Sequence, residues 1–250
     1  MARPNERWRS ASNGDRGFQM QTPTEADRTA DPSTRRTPLL GEPFPTLSVE
    51  TTQGPKTVPD DYAGQWFVLF SHPGDFTPVC TTEFVAFERR REAFEELDVA
   101  LMGLSVDRVH SHIKWVEWIE SEFGVDVSFP IVADEAARVA DRLGMIHPEM
   151  GTSTVRSVFV VDPGGTLRLT LYYPMEVGRN VDEILRAIRA LQTADEETAA
   201  TPADWPDNED HDDRLLLRPP SDEAGAEARL SEAEEEGYDC RDWWFCTRDR

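Results

Sequence analysis

The chain has 250 residues, 48 acidic against 26 basic, and a formal net charge of −22, a balance that argues against nucleic acid and anionic membranes as partners. Three cysteines are too few for a disulfide framework in a chain this long and suit a reducing, cytoplasmic setting. No run approaches the ~18 apolar residues of a membrane span.

Lysine is scarce beside so many carboxylates, and the acidity reads first as surface solvation in high salt. The start, Met1-Ala-Arg-Pro-Asn-Glu-Arg, lacks the apolar stretch of a signal peptide. Residues 1–37 are polar and rich in Arg, Thr and Pro, and disorder is expected there. Leu47 to Thr52 and Lys56 to Val58, separated by Gln53-Gly54, predict a small hairpin. Trp66 to Phe70 is an apolar run of strand length. The turn-rich segment Ser71 to Pro78 follows, and Cys80 stands where a helical pattern begins, with Phe84, Phe87, Phe94 and Leu97 on one face.

Val99 to Val106 predicts a buried strand. His110 to Phe123 predicts an amphipathic helix with Trp115, Trp118, Ile119 and Phe123 on one side. A strand is expected over 129–134 and a short helix over 136–143. Val155 to Val161 and Leu167 to Tyr173 predict strands joined at the turn signal Asp162-Pro-Gly-Gly. Asn180 then caps a helix whose face is Val181, Ile184, Leu185, Ile188 and Leu191. From Trp66 the order is β-α-β-α-β-α-β-β-α, which predicts an α/β fold, a mixed β-sheet flanked by helices on both faces. This is the thioredoxin-like order with an inserted β-α, although periodicity alone does not select it over other α/β sandwiches. Three parts are expected: the extension 1–37, a domain 38–193, and an acidic arm 194–250 that begins as a Pro-containing linker. The arm ends in Tyr238-Asp-Cys240-Arg-Asp-Trp243-Trp244-Phe245-Cys246, an aromatic patch that calls for a pocket.

A cysteine at a strand–loop–helix junction can be made reactive. An ordinary thiol, with a pKa of ~8.5, is a few per cent thiolate at neutral pH. Bringing a thiol to ~6 requires about 3.4 kcal/mol at ~1.36 kcal/mol per unit. A helix N-terminus supplies about 0.3–1 kcal/mol, ~2 at best, so a cation or several hydrogen bonds must supply the rest. Thr77 can offer a hydroxyl to the sulfur, Pro73 can shape the pocket, and Arg156, at the start of a strand, is the best-placed cation. The bland alternative is an inert buried cysteine. It leaves the Pro-x-x-x-Thr-x-x-Cys spacing at 73, 77 and 80 unexplained.

That spacing, within Ser-His-Pro-Gly-Asp-Phe-Thr-Pro-Val-Cys-Thr-Thr-Glu, resembles the peroxiredoxins, in the branch holding the one-cysteine and archaeal enzymes. The resemblance runs from about Leu40 to Leu191. It implies a thioredoxin-like fold and a thiol-dependent peroxidase that reduces hydrogen peroxide and alkyl hydroperoxides. By that resemblance Cys80 is the peroxidatic cysteine, Thr77 and Arg156 bind peroxide and hold the thiolate, and Pro73 shields the pocket. Glu83 orients the arginine, Arg179 is the family's second arginine, and His72 lines the pocket. The tail resembles that of archaeal members with C-terminal resolving cysteines. On that likeness Cys246 resolves the Cys80 sulfenic acid as a disulfide, and Cys240 assists or exchanges with it. The same resemblance implies a thioredoxin-like dithiol reductant and a homodimer that crosses its tails and builds a decameric ring. No cofactor or metal is expected, the Cys-x5-Cys spacing being unlike a zinc site. There is no serine motif of the lipase type in Tyr62-Ala-Gly-Gln-Trp-Phe and no Cys-x-x-Cys at Cys80. A peroxide-sensing relay or holdase ring without significant turnover is the rival expectation.

Overall fold

The computed structural model describes residues 37–148 and 151–250; the segment expected to be disordered lies outside them except for its last residue. The central strands explain the architecture. β1 (Leu47–Thr51) and β2 (Gly54–Val58) form the expected hairpin. β3 (Trp66–Ser71) is buried along its whole length. Trp66, Val68 and Phe70 enter one hydrophobic cluster, Phe67 and Leu69 the other, as the two-residue period of a strand dictates. β4 (Val99–Ser105) runs parallel to β3 and β6 (Arg156–Val161) antiparallel to it, and both divide their side chains in the same way. With β5 (Ile131–Ala133) and β7 (Leu167–Tyr173) they make a seven-stranded mixed sheet in the order β2-β1-β5-β4-β3-β6-β7.

A sheet apolar on both faces must be covered on both. On one side α1 (Pro78–Glu88), α2 (Arg91–Glu96), α3 (Val109–Phe123) and α5 (Val181–Glu196) supply Phe84, Phe87, Phe94, Trp115, Ile119, Ile184 and Ile188. On the other, α4 (Arg138–Arg142) supplies Val139 and Ala140. Gly103 of β4 has a steric reason: a Cβ there would come 3.1 Å from the Phe84 ring and 3.6 Å from Ile131. Its bare backbone lets α1, and Cys80 with it, lie close on the sheet.

Three differences from expectation have local causes. The single helix expected after Cys80 breaks at Arg89–Arg90, which returns Phe94 to the cluster that holds Phe87 and leads the chain into β4. On α3 the buried residues are His112, Trp115 and Ile119, while Trp118 and Phe123 are each 42% exposed. A histidine completes the inner stripe, which a hydrophobicity pattern cannot register. Finally, the acidic stretch contains β8 (Leu215–Leu216) and α6 (Glu223–Glu236), capped by Asp222 and ended by Gly237 at φ +73°. With β9 (Asp239–Asp242) and β10 (Phe245–Arg248), β8 forms a second sheet, β8-β10-β9. Its few hydrophobes are anchors. Trp205 is buried, donates from its indole to the Asp213 carbonyl, and accepts at its own carbonyl from Arg186 of α5. No helix among the described residues is long and apolar enough to cross a membrane.

Candidate active site

Cys80 is fully buried in the first turn of α1. Pro78 opens that turn with its fixed φ and absent N–H, and Thr77 precedes it in an extended conformation. The N–H groups of Val79 and Cys80 have no acceptor within the helix. The Thr77 hydroxyl does not turn to the sulfur: it donates to the Gly74 carbonyl at 2.9 Å, which leaves its lone pairs as acceptors. Pro73 is buried in the same loop.

Across from α1 stands Arg156, the first residue of β6. Its Nη1 lies 3.3 Å from Cys80 Sγ and 2.6 Å from Glu83 Oε2, while Nε and Nη2 donate to the Met175 carbonyl at 3.0 and 2.7 Å. Glu83 follows Cys80 by three residues, so both project from the same side of α1. Arg179, just before the α5 cap, grips Glu83 with its backbone N–H and Nε at 2.9 Å each and with Nη2 at 2.8 Å. Its Nη1 donates to the carbonyls of Ser71 and Ser157, and its guanidinium rests over Phe70 and Phe87. One carboxylate therefore holds two arginines, and the buried set Glu83, Arg156 and Arg179 carries one net positive charge beside the sulfur.

Burial pushes the Glu83 carboxyl up, but the charge and hydrogen bonds of Arg179, with Arg156 behind them, hold it below its ordinary value. Its contribution to stability is thus present above the unfolded-state value of ~4.3 and lost as pH falls through the lower folded-state value. Glu83→Gln should destabilise the fold by about 3–5 kcal/mol at pH 7, the penalty of breaking a buried pair on one side. The gap between variant and wild type should close below about pH 4. Urea denaturation at several pH values measures both, and a gap independent of pH contradicts the assignment.

His72 is buried and neutral in tendency, since burial pulls its pKa down against the neighbouring Asp75. It does not meet Cys80 by a hydrogen bond; its Nε2 faces Asp75 Oδ1 at 2.9 Å. No motif in the sequence marks Asp75, Ser71, Ser157 or the Met175 carbonyl as part of the site. His112 alone had a readable signal: a histidine in register with Trp115 and Ile119 on the inner face of α3.

The other two cysteines pair with each other. Cys246 of β10 is cross-strand from Cys240 of β9, and the two form a disulfide; Cys80 is free. Within one chain, then, Cys246 is joined to Cys240 and not to Cys80. Cys246 is buried and Cys240 half-buried, beside Trp243 and Trp244, which project at 37% and 54% exposure. A separate apolar groove of about 380 Å³ flanks the Thr77 turn, lined by Phe76, Pro78, Trp118 and Phe123 among others.

Comparisons with known proteins agree on the fold. The AhpC/TSA family model matches residues 40–170. A protein named peroxiredoxin from Thermotoga petrophila is 57% identical over 211 residues, which cover 84% of this chain and 97% of that one. One from Archaeoglobus fulgidus is 54% identical over 209 residues, with 84% and 97% covered. Among solved structures, a yeast mitochondrial 1-Cys peroxiredoxin, described for thiol resolution via glutathione/thioredoxin systems, aligns at a TM-score of 0.74. It is 35% identical, over 85% of this chain and 99% of its own.

Proposed function

The chain belongs to the AhpC/TSA family of peroxiredoxins, thiol-dependent peroxidases of thioredoxin-like fold, and from that premise we propose which of its residues perform the chemistry. Cys80 is the peroxidatic nucleophile. The observation that carries this is the charge of its enclosure: two arginines and one glutamate, with Arg156 Nη1 at 3.3 Å from Sγ. A buried positive charge without a counter-ion is costly, and a Cys80 thiolate is the group that closes the balance. Thr77, its own proton committed to Gly74, accepts from the incoming hydroperoxide O–H. Arg156 donates to the oxygen on which charge develops. Glu83 and Arg179 fix Arg156, and Pro73 shields the loop.

The thiolate attacks the terminal peroxide oxygen; the O–O bond breaks, the hydroperoxide's own O–H proton passes to the departing oxygen, which leaves as alcohol or water, and the Cys80 sulfenate takes a proton from solvent to become the sulfenic acid. The Cys246 thiol displaces water from it to form a Cys80–Cys246 disulfide. Cys240 then attacks Cys246 Sγ, which regenerates Cys80 and leaves Cys240–Cys246. The cross-strand pairing of these two cysteines supports that last exchange. The half-buried Cys240 is the sulfur open to a dithiol reductant of thioredoxin type.

The small sheet must reach a Cys80 that its own chain does not bring to it, which supports a tail crossing between copies. The groove at Phe76 and Trp118 supports further contact between copies in a dimer-built decameric ring. A cytoplasmic location completes the reading.

Cys246→Ser should consume about one peroxide per chain and then stop, with no sustained turnover on a dithiol protein. Non-reducing electrophoresis after one equivalent of peroxide should show the Cys80–Cys246 disulfide trapped in Cys240→Ser, where the exchange cannot follow, and absent from Cys246→Ser. Sustained turnover by the variant would transfer the resolving role to Cys240 or to an external thiol.

A further inference from the structure

Two buried histidines and one buried aspartate, His72, Asp75 and His112, lie beside the loop that leads into α1. Their donor atoms fall within 4.8 Å of one another, yet these atoms are already committed to each other. His112 Nδ1 is 2.8 Å from Asp75 Oδ2 and 3.0 Å from Oδ1. Its Nε2 is 3.2 Å from the Val132 carbonyl of β5. A carbonyl and a carboxylate only accept, so both ring nitrogens of His112 need a proton to be satisfied. Asp75 stays ionised: burial pushes it up, but hydrogen bonds from His112 and then His72 hold it far below the usual carboxylate range. His72 then donates Nε2–H to Asp75 and keeps a bare Nδ1, which has no partner among the described residues. The groups facing His112 are His72 and Asp75 from the β3–α1 loop and the Val132 carbonyl from β5. Asp107, after β4, reaches the same loop by accepting from the Asp75 backbone N–H at 2.9 Å.

A second observation shows that this loop needs holding. Phe76, between Asp75 and Thr77, has φ +53° and is 56% exposed. A bulky residue adopts that left-handed conformation only where its neighbours impose it. Asp75 is pinned on one side and Thr77, through Gly74, on the other.

We propose that His112, as a buried imidazolium paired with Asp75, is a positioning residue for the reaction at Cys80, fixing the Ser71–Thr77 loop and cancelling the Asp75 charge. The proposal rests on Cys80 as nucleophile. Without His112, Asp75 is an uncompensated buried anion beside a loop that must tolerate a thiolate. His112→Asn keeps a donor near the Nδ1 position and removes the charge.

Selective ¹⁵N-histidine labelling of the wild-type chain tests the protonation directly. Among its five imidazoles, one should be an imidazolium at pH 7.5 with both ring N–H groups protected from exchange. A spectrum without a protected imidazolium overturns the proposal, and this measurement needs no variant to fold. For reactivity, His112→Asn should slow the reaction of Cys80 with hydrogen peroxide about tenfold and move the acid limb of its rate–pH profile to higher pH. Asp75→Asn in the same chain should recover most of that loss. An unchanged rate, or a double variant as slow as the single one, also overturns it. If Cys80→Ser kept its turnover, the nucleophile assignment would fall, whereas the protonation of His112 would still be decided by the spectrum.

Discussion

Cys80→Ser should lower peroxide turnover by ~10³-fold or more, a loss of over about 4 kcal/mol of transition-state stabilisation. The serine side chain fits the same buried site, so the packing of α1 on β3 is kept. What disappears is the proposed nucleophile. A serine hydroxyl is not ionised at neutral pH, and its oxygen has no counterpart to the two-electron step from thiolate to sulfenic acid. The positive enclosure of Arg156, Arg179 and Glu83 remains but has nothing to stabilise. Intact mass after one equivalent of peroxide gives a second readout. Wild type held without reductant should gain oxygen or lose two hydrogens to a disulfide, and the serine variant should do neither. Turnover near wild type would sink the assignment of Cys80.

Arg156→Met should reduce kcat/KM for hydrogen peroxide by about 10²–10³-fold, the usual loss on deleting one preorganised donor at a developing anion. Methionine keeps the length and burial of the arginine stem and removes the charge. Glu83 does not become an orphan, because Arg179 still binds it through its backbone N–H, Nε and Nη2. The fold should therefore persist, with circular dichroism like that of wild type. The enclosure changes from one net positive charge to none, and the thiolate loses its reason to form. A loss below tenfold would mean that the helix terminus and the loop suffice without the guanidinium.

The sequence was most informative where chemistry and spacing are local. Cys80, Thr77 and Glu83 lie within seven residues of one another, and the turn Asp162-Pro-Gly-Gly and the Asn180 cap announce their own geometry. The structure does bring Arg156, Arg179 and Glu83 together around the sulfur. The sequence is silent where the partners are far apart in the chain. Asp75 meets His112 across 37 residues, and although His112 stands in the inner stripe of α3, nothing in the sequence names its partner. The Met175 carbonyl that clamps Arg156 has no side-chain identity to read. The hydroxyl of Thr77 carries no direction in the sequence, and the direction it takes is toward Gly74. The acidic arm hid a helix and a sheet because a few anchors, Trp205 and Leu215 among them, stabilise what average composition discounts.

The complete enclosure of Cys80 has a kinetic consequence. A small peroxide needs little room to reach the sulfur, whereas a cysteine sulfur carried on a polypeptide must bring its backbone close to reach it. On the proposed mechanism, then, oxidation and discharge proceed through different conformations: the first in the closed fold, the second after the opening turn of α1 has loosened. The lifetime of the sulfenic acid is set by that opening rate, and further oxidation competes with it in proportion to peroxide. On that mechanism, the tighter the first turn of α1, the lower the peroxide concentration at which the sulfur is over-oxidised.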